Sequence, residues 1–309
     1  MAKVLSSITE IHQVADSLEP QLRREFIKTI RRLNGNVNLT QIAALISLGQ
    51  IAKVMERIGL KDEFAQFQSE ALVAVHDLVQ KGAAVAALPK GVSISFDMTN
   101  PQVFSVIRND VIDKVLKISA ETEAAIRAAI ERSFMEGIPT LQIAREIRDL
   151  VGLTQNGWKT VGRYDEYLRG LADRFTEVAD LSKTAEGMLR KGGMRNLLTE
   201  KRGLGVLDRT GLTNERIESL VQKYTDRLIA RRAETIARTL TIDASAEGQA
   251  QLWKQAVEKG ELDEADWDVI WIVTKDDRLC DECLEMEGER RPIDGTYENG
   301  EGPPTLHPG

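Results

Sequence analysis

The sequence predicts a mainly α protein, an elongated helical body carrying a small C-terminal α+β unit. Three observations predict it. Ala, Leu, Ile, Glu and Arg dominate while aromatic residues make up only 5%, a balance that suits helices better than packed sheets. Apolar residues recur at helical spacing through most of the chain. The strongest β signal comes late, at Val269–Val273, just ahead of an acidic tail punctuated by glycines.

The N-terminal 88 residues read as several helices. Ile11, Val14, Leu18, Leu22, Phe26, Ile30 and Leu33 fall on one helical face, with a break expected near Pro20. Arg23, Arg24, Lys28, Arg31 and Arg32 share that stretch, as a solvated face or a contact for an acidic partner or nucleic acid. Asn34-Gly35-Asn36 ends the helix. Thr40 is placed to cap the next, which carries Ile42, Leu45, Ile46 and Val54; residues 62–88 add one helix or two. Leu88-Pro89-Lys90-Gly91 breaks the pattern. Val92-Ser93-Ile94-Ser95-Phe96 alternates like a short strand.

Thr99-Asn100-Pro101 starts a helical stretch running to about Val151. Gly137-Ile138-Pro139 interrupts it, and Thr140 is placed to cap its resumption. Gly152-Leu153-Thr154 and Gly211-Leu212-Thr213 form a weak internal pair. Each offers a threonine cap, and each is followed at similar distance by a tyrosine and a leucine: Tyr164 and Leu168, then Tyr224 and Leu228. Between them lies a Gly- and Arg/Lys-rich stretch that reads as an exposed loop or arm. A long helix is expected from Asn214 to about Ile242 and a second from about Ala246 to Lys259. A strand follows at 268–274, and further strand in the tail.

At 309 residues and 42% hydrophobic, the chain can bury one large core or two smaller ones. No apolar run reaches the length of a membrane helix, and Glu10 and Asp16 interrupt any signal-peptide core, which predicts a chain made in the host cytoplasm with no membrane partner. Residues 258–309 hold sixteen acids against five bases, a net −11, leaving +4 of the overall −7 to residues 1–257. An acidic tail on a mildly basic body argues against DNA binding over the whole surface but leaves room for a basic patch.

The cysteine chemistry is confined to Cys280-Asp281-Glu282-Cys283. Two intervening residues let both sulfurs face one ion, and His307 could supply a third ligand to a structural zinc. The same spacing also suits a redox pair, or two reduced thiols closing a turn. The flanking Asp276, Asp277, Asp281 and Glu282 would raise a thiol's pKa, which disfavours redox chemistry. His12 reads as exposed and His76 as a core residue among Val73, Val75 and Leu78. No zinc-protease, Ser/His/Asp or phosphate-loop pattern is present, so no catalytic residue is assigned and an enzyme is not expected. Lys183, Arg190, Lys191, Arg195, Lys201, Arg202 and Arg209 form the basic stretch. It reads as a solvated loop or as a source of phosphate contacts, with Arg190, Lys191, Arg195, Lys201 and Arg202 the DNA-binding candidates; without interleaved aromatics it does not suit base stacking.

Four segments together resemble the MuF-like phage head-morphogenesis proteins. They are Phe96-Asp97-Met98-Thr99-Asn100-Pro101; Glu136-Gly137-Ile138-Pro139 with Ile143-Ala144-Arg145-Glu146-Ile147 and Gly152-Leu153-Thr154; Arg232-Ala233-Glu234-Thr235-Ile236-Ala237-Arg238-Thr239; and Trp271–Asp277 with Cys280, Cys283, Gly288, Pro303-Pro304 and His307-Pro308. The resemblance covers residues 89–309, leaving 1–88 as an N-terminal helical region; within it the small α+β unit is expected at about 243–309. Leu240 stands where the family helix continues with Glu, and the family pattern runs on past His-Pro. The resemblance implies a minor head protein inside the capsid near the portal, supporting head assembly and DNA packaging or ejection. Its implied partners are the portal, other head proteins, packaged DNA and further copies of itself. The family's fusion to toxin domains and a free-standing nucleic-acid-binding module are the alternatives.

Overall fold

The structure, a computed structural model, describes residues 3–5, 8–175, 213–273, 281–293, 295 and 297. It is mainly α with a small α+β unit. In chain order the elements are β1 (Lys3–Leu5), α1 (Ile8–Asn36), α2 (Leu39–Ser47), α3 (Ile51–Ile58), α4 (Leu60–Ala84), α5 (Pro101–Glu136), α6 (Thr140–Leu150), α7 (Gln155–Phe175), α8 (Asn214–Glu258), a 3-10 turn (Glu264–Asp266), β2 (Trp267–Ile270), α9 (Asp281–Glu285) and β3 (Arg290–Pro292).

The chain packs as two compact units that do not follow sequence order. One is drawn from Met1–Leu33, Gly59–Ala120 and Arg231–Gly309, the other from Asn34–Ile58 and Glu121–Ala230. The first unit's core comes from the apolar stripe read in α1, with Leu22, Phe26 and Ile30 buried. Phe26 meets Phe67 of α4 edge to face, ring centres 5.7 Å apart. Val103, Ile107, Val111 and Val115 of α5, four residues apart in turn, are buried as one face.

Pro20 does not break α1. The residue is exposed, and so is Asp16 four positions back, so the carbonyl that loses its amide partner can turn to water. The predicted gap near residues 242–246 is also absent: α8 runs unbroken for 45 residues. Its small and polar residues there are buried by packing, and the hydroxyls bond back along the helix, Thr241 Oγ1 to the Arg238 carbonyl at 3.0 Å and Ser245 Oγ to the Thr241 carbonyl at 2.7 Å.

The small unit is a three-stranded sheet, β1-β2-β3. β1 lies parallel to β2, Val4 opposite Asp268, and β3 antiparallel to it, Arg291 opposite Val269. β1 was not anticipated. β2 is shorter than the predicted strand, although Trp271 continues the pairing through its N–H to the Glu289 carbonyl at 2.8 Å. Residues 243–258, expected within this unit, belong to α8. Trp253, Ala256, Leu262, Val269 and Ile293 form its core, with Val92 and Ile94 packed alongside. Residues 92–96 have the alternating exposure of a strand but no ladder.

In the second unit α2 packs on α6, each burying two isoleucines at least, Ile42 and Ile46 on one side and Ile143 and Ile147 on the other. The predicted helix through residues 42–54 is two helices. Gly49 adopts φ +67 and its amide bonds the Ile46 carbonyl at 2.9 Å, which closes α2. Asn38, not Thr40, caps that helix, its Oδ1 accepting the Gln41 N–H at 3.1 Å. Thr140 is likewise the first helical residue and not a cap.

Candidate functional site

Cys280, His307, Arg190, Lys191, Arg195, Lys201 and Arg202 lie outside the described residues, as does the side chain of Cys283; its backbone belongs to α9. Among the described residues no group of three or more His, Cys, Asp or Glu is arranged to hold a metal ion. His76 is exposed on α4, contrary to the core reading, because the buried stripe runs through Ala74, Val75 and Leu78 and leaves residue 76 on the outer face. His12 is half-buried and bonded.

The segments that carried the resemblance meet inside the first unit. Ala233 and Ala237 are buried one helical turn apart in α8 and allow close approach. Arg232 donates through Nη2 to the Ile118 carbonyl of α5 at 3.4 Å and lies 5.9 Å from the Phe26 ring centre. Arg238 reaches Glu19 of α1 at 3.4 Å and Asp16 at 3.6 Å. Leu240, which replaces the family's Glu, is buried at 2% exposure, so this position packs and carries no charge.

One turn further on, Lys114 of α5 lies 2.5 Å from Asp243 of α8 and 2.7 Å from Asp110. Burial opposes the ammonium charge, but the carboxylates of Asp243 and Asp110 outweigh it and hold the amine above its usual range. Such a cation stays charged; it does not serve as a base. Beside it α4 and α8 touch backbone to backbone. A Cβ on Gly248 would fall 2.1 Å from the Val79 carbonyl oxygen, and one on Gly82 would fall 2.2 Å from that of Ser245.

Gln255 then fixes the start of α5. Its Oε1 accepts the Asp97 N–H at 2.8 Å and its Nε2 donates to the Asp97 carbonyl at 2.9 Å. One side-chain amide thus does to Asp97 what a neighbouring strand would do. The Asp97 carboxylate accepts from the Thr99 amide at 2.8 Å and hydroxyl at 2.7 Å, and these bonds, the hydroxyl's above all, lower its pKa. Asn100 caps α5 by accepting the Gln102 N–H at 2.9 Å, with Pro101 first in the helix, as predicted. Trp253 Nε1 donates to the Ala87 carbonyl at 3.0 Å.

In the second unit both threonines of the internal pair cap as predicted. Thr154 Oγ1 accepts the Gly157 N–H at 3.2 Å and Thr213 Oγ1 the Arg216 N–H at 3.3 Å. The paired tyrosines also meet, Tyr164 and Tyr224 with ring centres 4.7 Å apart, in a cluster with Leu168 and Ile217. Burial, then the neighbouring Tyr224 and Tyr167, pushes the Tyr164 phenol up to about 12. Glu146 pairs with Arg132 at 2.5 Å, yet its burial raises the carboxyl above the usual range. Across the turn at Gly137-Ile138-Pro139, Phe134 (53%), Met135 (81%) and Leu141 (42%) are exposed, large apolar side chains suited to binding a partner.

No family model, curated protein or solved structure matched the chain. Among the described residues no helix is long and apolar enough to cross a membrane. Sequence reasoning missed Lys114–Asp243 and Gln255–Asp97 because their members stand 129 and 158 positions apart and neither forms a local motif. The small-residue run Ala244-Ser245-Ala246-Glu247-Gly248 was the available signal for the α4–α8 contact.

Proposed function

We propose that this chain is a phage minor head protein of the MuF-like kind, held inside the capsid near the portal and acting by binding rather than catalysis. One observation carries the reading. The segments around Asp97 and Arg232–Thr239, far apart in sequence and both part of the resemblance, are joined to one helical framework, Asp97 by Gln255 of α8 and Arg232 by its bond to α5. Residues that look like a motif are thus those a shared architecture would need, which supports the likeness as one of fold and not of scattered letters. The exposed Phe134, Met135 and Leu141 supply a surface for a head protein to cover.

The test is incorporation. The chain is co-expressed with the portal, scaffold and major capsid proteins of its own genome, and heads are purified and assayed for it. A few copies per head are expected, with a several-fold loss for Phe134→Ser/Met135→Ser of unchanged helicity. Heads that exclude the unaltered chain would sink the proposal.

A further inference from the structure

An unpaired strand edge lies beside Gln255. Val92, Ile94 and Phe96 are half-buried while Ser93, Ser95 and Asp97 are exposed, the period-two pattern of extended backbone. In such a backbone the N–H and C=O of one residue point to the same edge, and those of the next residue to the opposite edge. The edge facing α8 is taken. Asp97 gives both groups to Gln255, and the Ser95 carbonyl accepts from Lys259 Nζ at 3.5 Å. The opposite edge therefore belongs to Ile94 and Phe96, together with the Val92 carbonyl, since the Val92 N–H closes a turn on the Pro89 carbonyl at 3.1 Å. Among the described residues nothing bonds the main chain of Ile94 or Phe96. Buried main-chain groups are almost always paired, so these face solvent.

We propose that this edge pairs with the same edge of a second copy, antiparallel about a two-fold axis. The charges select that occupant and that direction. Lys90 is exposed just before the strand and Asp97 exposed at its end, a cation and an anion at opposite ends. Antiparallel pairing sets the Lys90 end of each copy against the Asp97 end of the other, whereas parallel pairing stacks like on like. The strand is therefore complementary to itself in charge, and its Val92, Ile94 and Phe96 side chains continue one apolar face across the axis. The inference rests on main-chain geometry and holds whether or not the chain is a head protein.

The full-length protein is followed by sedimentation velocity across a range of micromolar concentrations. A reversible monomer–dimer equilibrium is expected. Ser95→Lys places two ammonium groups near the axis from a side chain that is exposed in the monomer, and should weaken dimerisation at least tenfold, with helicity unchanged by circular dichroism. Ser95→Ala should dimerise like the parent. A parent that stays monomeric at every concentration, or a Ser95→Lys protein that dimerises as tightly as the parent, would overturn the proposal.

Discussion

A methyl group on Gly248 would stand 2.1 Å from the Val79 carbonyl oxygen, closer than any real contact, and the obstacle is backbone that cannot swing aside. Gly248→Ala should therefore push α4 and α8 apart and cost about 1–3 kcal/mol or more by overpacking. Gly162, inside α7 with nothing near its would-be Cβ, behaves oppositely. Gly162→Ala should add about 1 kcal/mol, because alanine gives up less backbone freedom on entering a helix. Thermal melts of the two variants should move in opposite directions; a shared direction would refute the close crossing. Lys114 tests burial of charge. Lys114→Met strands Asp243, itself 7% exposed, and should cost about 3–5 kcal/mol, while Lys114→Met/Asp243→Leu should recover much of it. The amine's folded pKa lies above its ordinary 10.5, so its stabilising contribution is full below that value and lost as pH rises through the folded one. Alkaline unfolding should lose that component in the double variant, which a pH series of melts would read.

At the scale of elements, local chemistry was legible and the tertiary override of it was not. Thr154 and Thr213 were read as caps from their place before apolar helical runs, and each accepts the N–H three residues on. Thr154→Ala and Thr213→Ala should each cost about 1 kcal/mol in chemical denaturation, with no change in the cooperativity slope. Insensitivity to both would mean that the Tyr164–Tyr224 contact alone sets these helices. Asn38 was missed because Thr40 made an equally good local signal two residues later. The break expected in α8 followed from the modest helix propensity of Thr241, Asp243 and Ser245, but burial on all sides decides their state. Residues 92–96 show the converse. The alternation was real, yet a strand also needs a neighbour, and here Gln255 occupies one edge. The proposed zinc ligands and basic stretch fall outside the described residues, so the sequence remains their only argument.

At the scale of the molecule, the motif resemblance divides the chain at residue 88, whereas packing joins residues from both sides of that point in one unit. α1 supplies Leu22, Phe26 and Ile30 to that unit, α4 supplies Phe64, Phe67 and Leu78, and Arg238 of α8 is held by Glu19. The backbone of α4 at Val79 and Gly82 is also the surface against which Gly248 and Ser245 lie. Deleting residues 1–88 would strip these partners from a length of α8 buried nearly all round, exposing apolar side chains together with Asp243 and Gln249, which are hydrated only at the expense of the remaining core. An isolated α5–α8 remnant has no other described apolar surface of its own unit to close on. The truncated chain should therefore aggregate or lose the cooperative transition of this unit, seen as a missing or broadened melt beside the full-length protein. A soluble 89–309 fragment with a sharp melt and full per-residue helicity would instead show that residues 89–309 fold unaided and that the N-terminal helices merely dock on them.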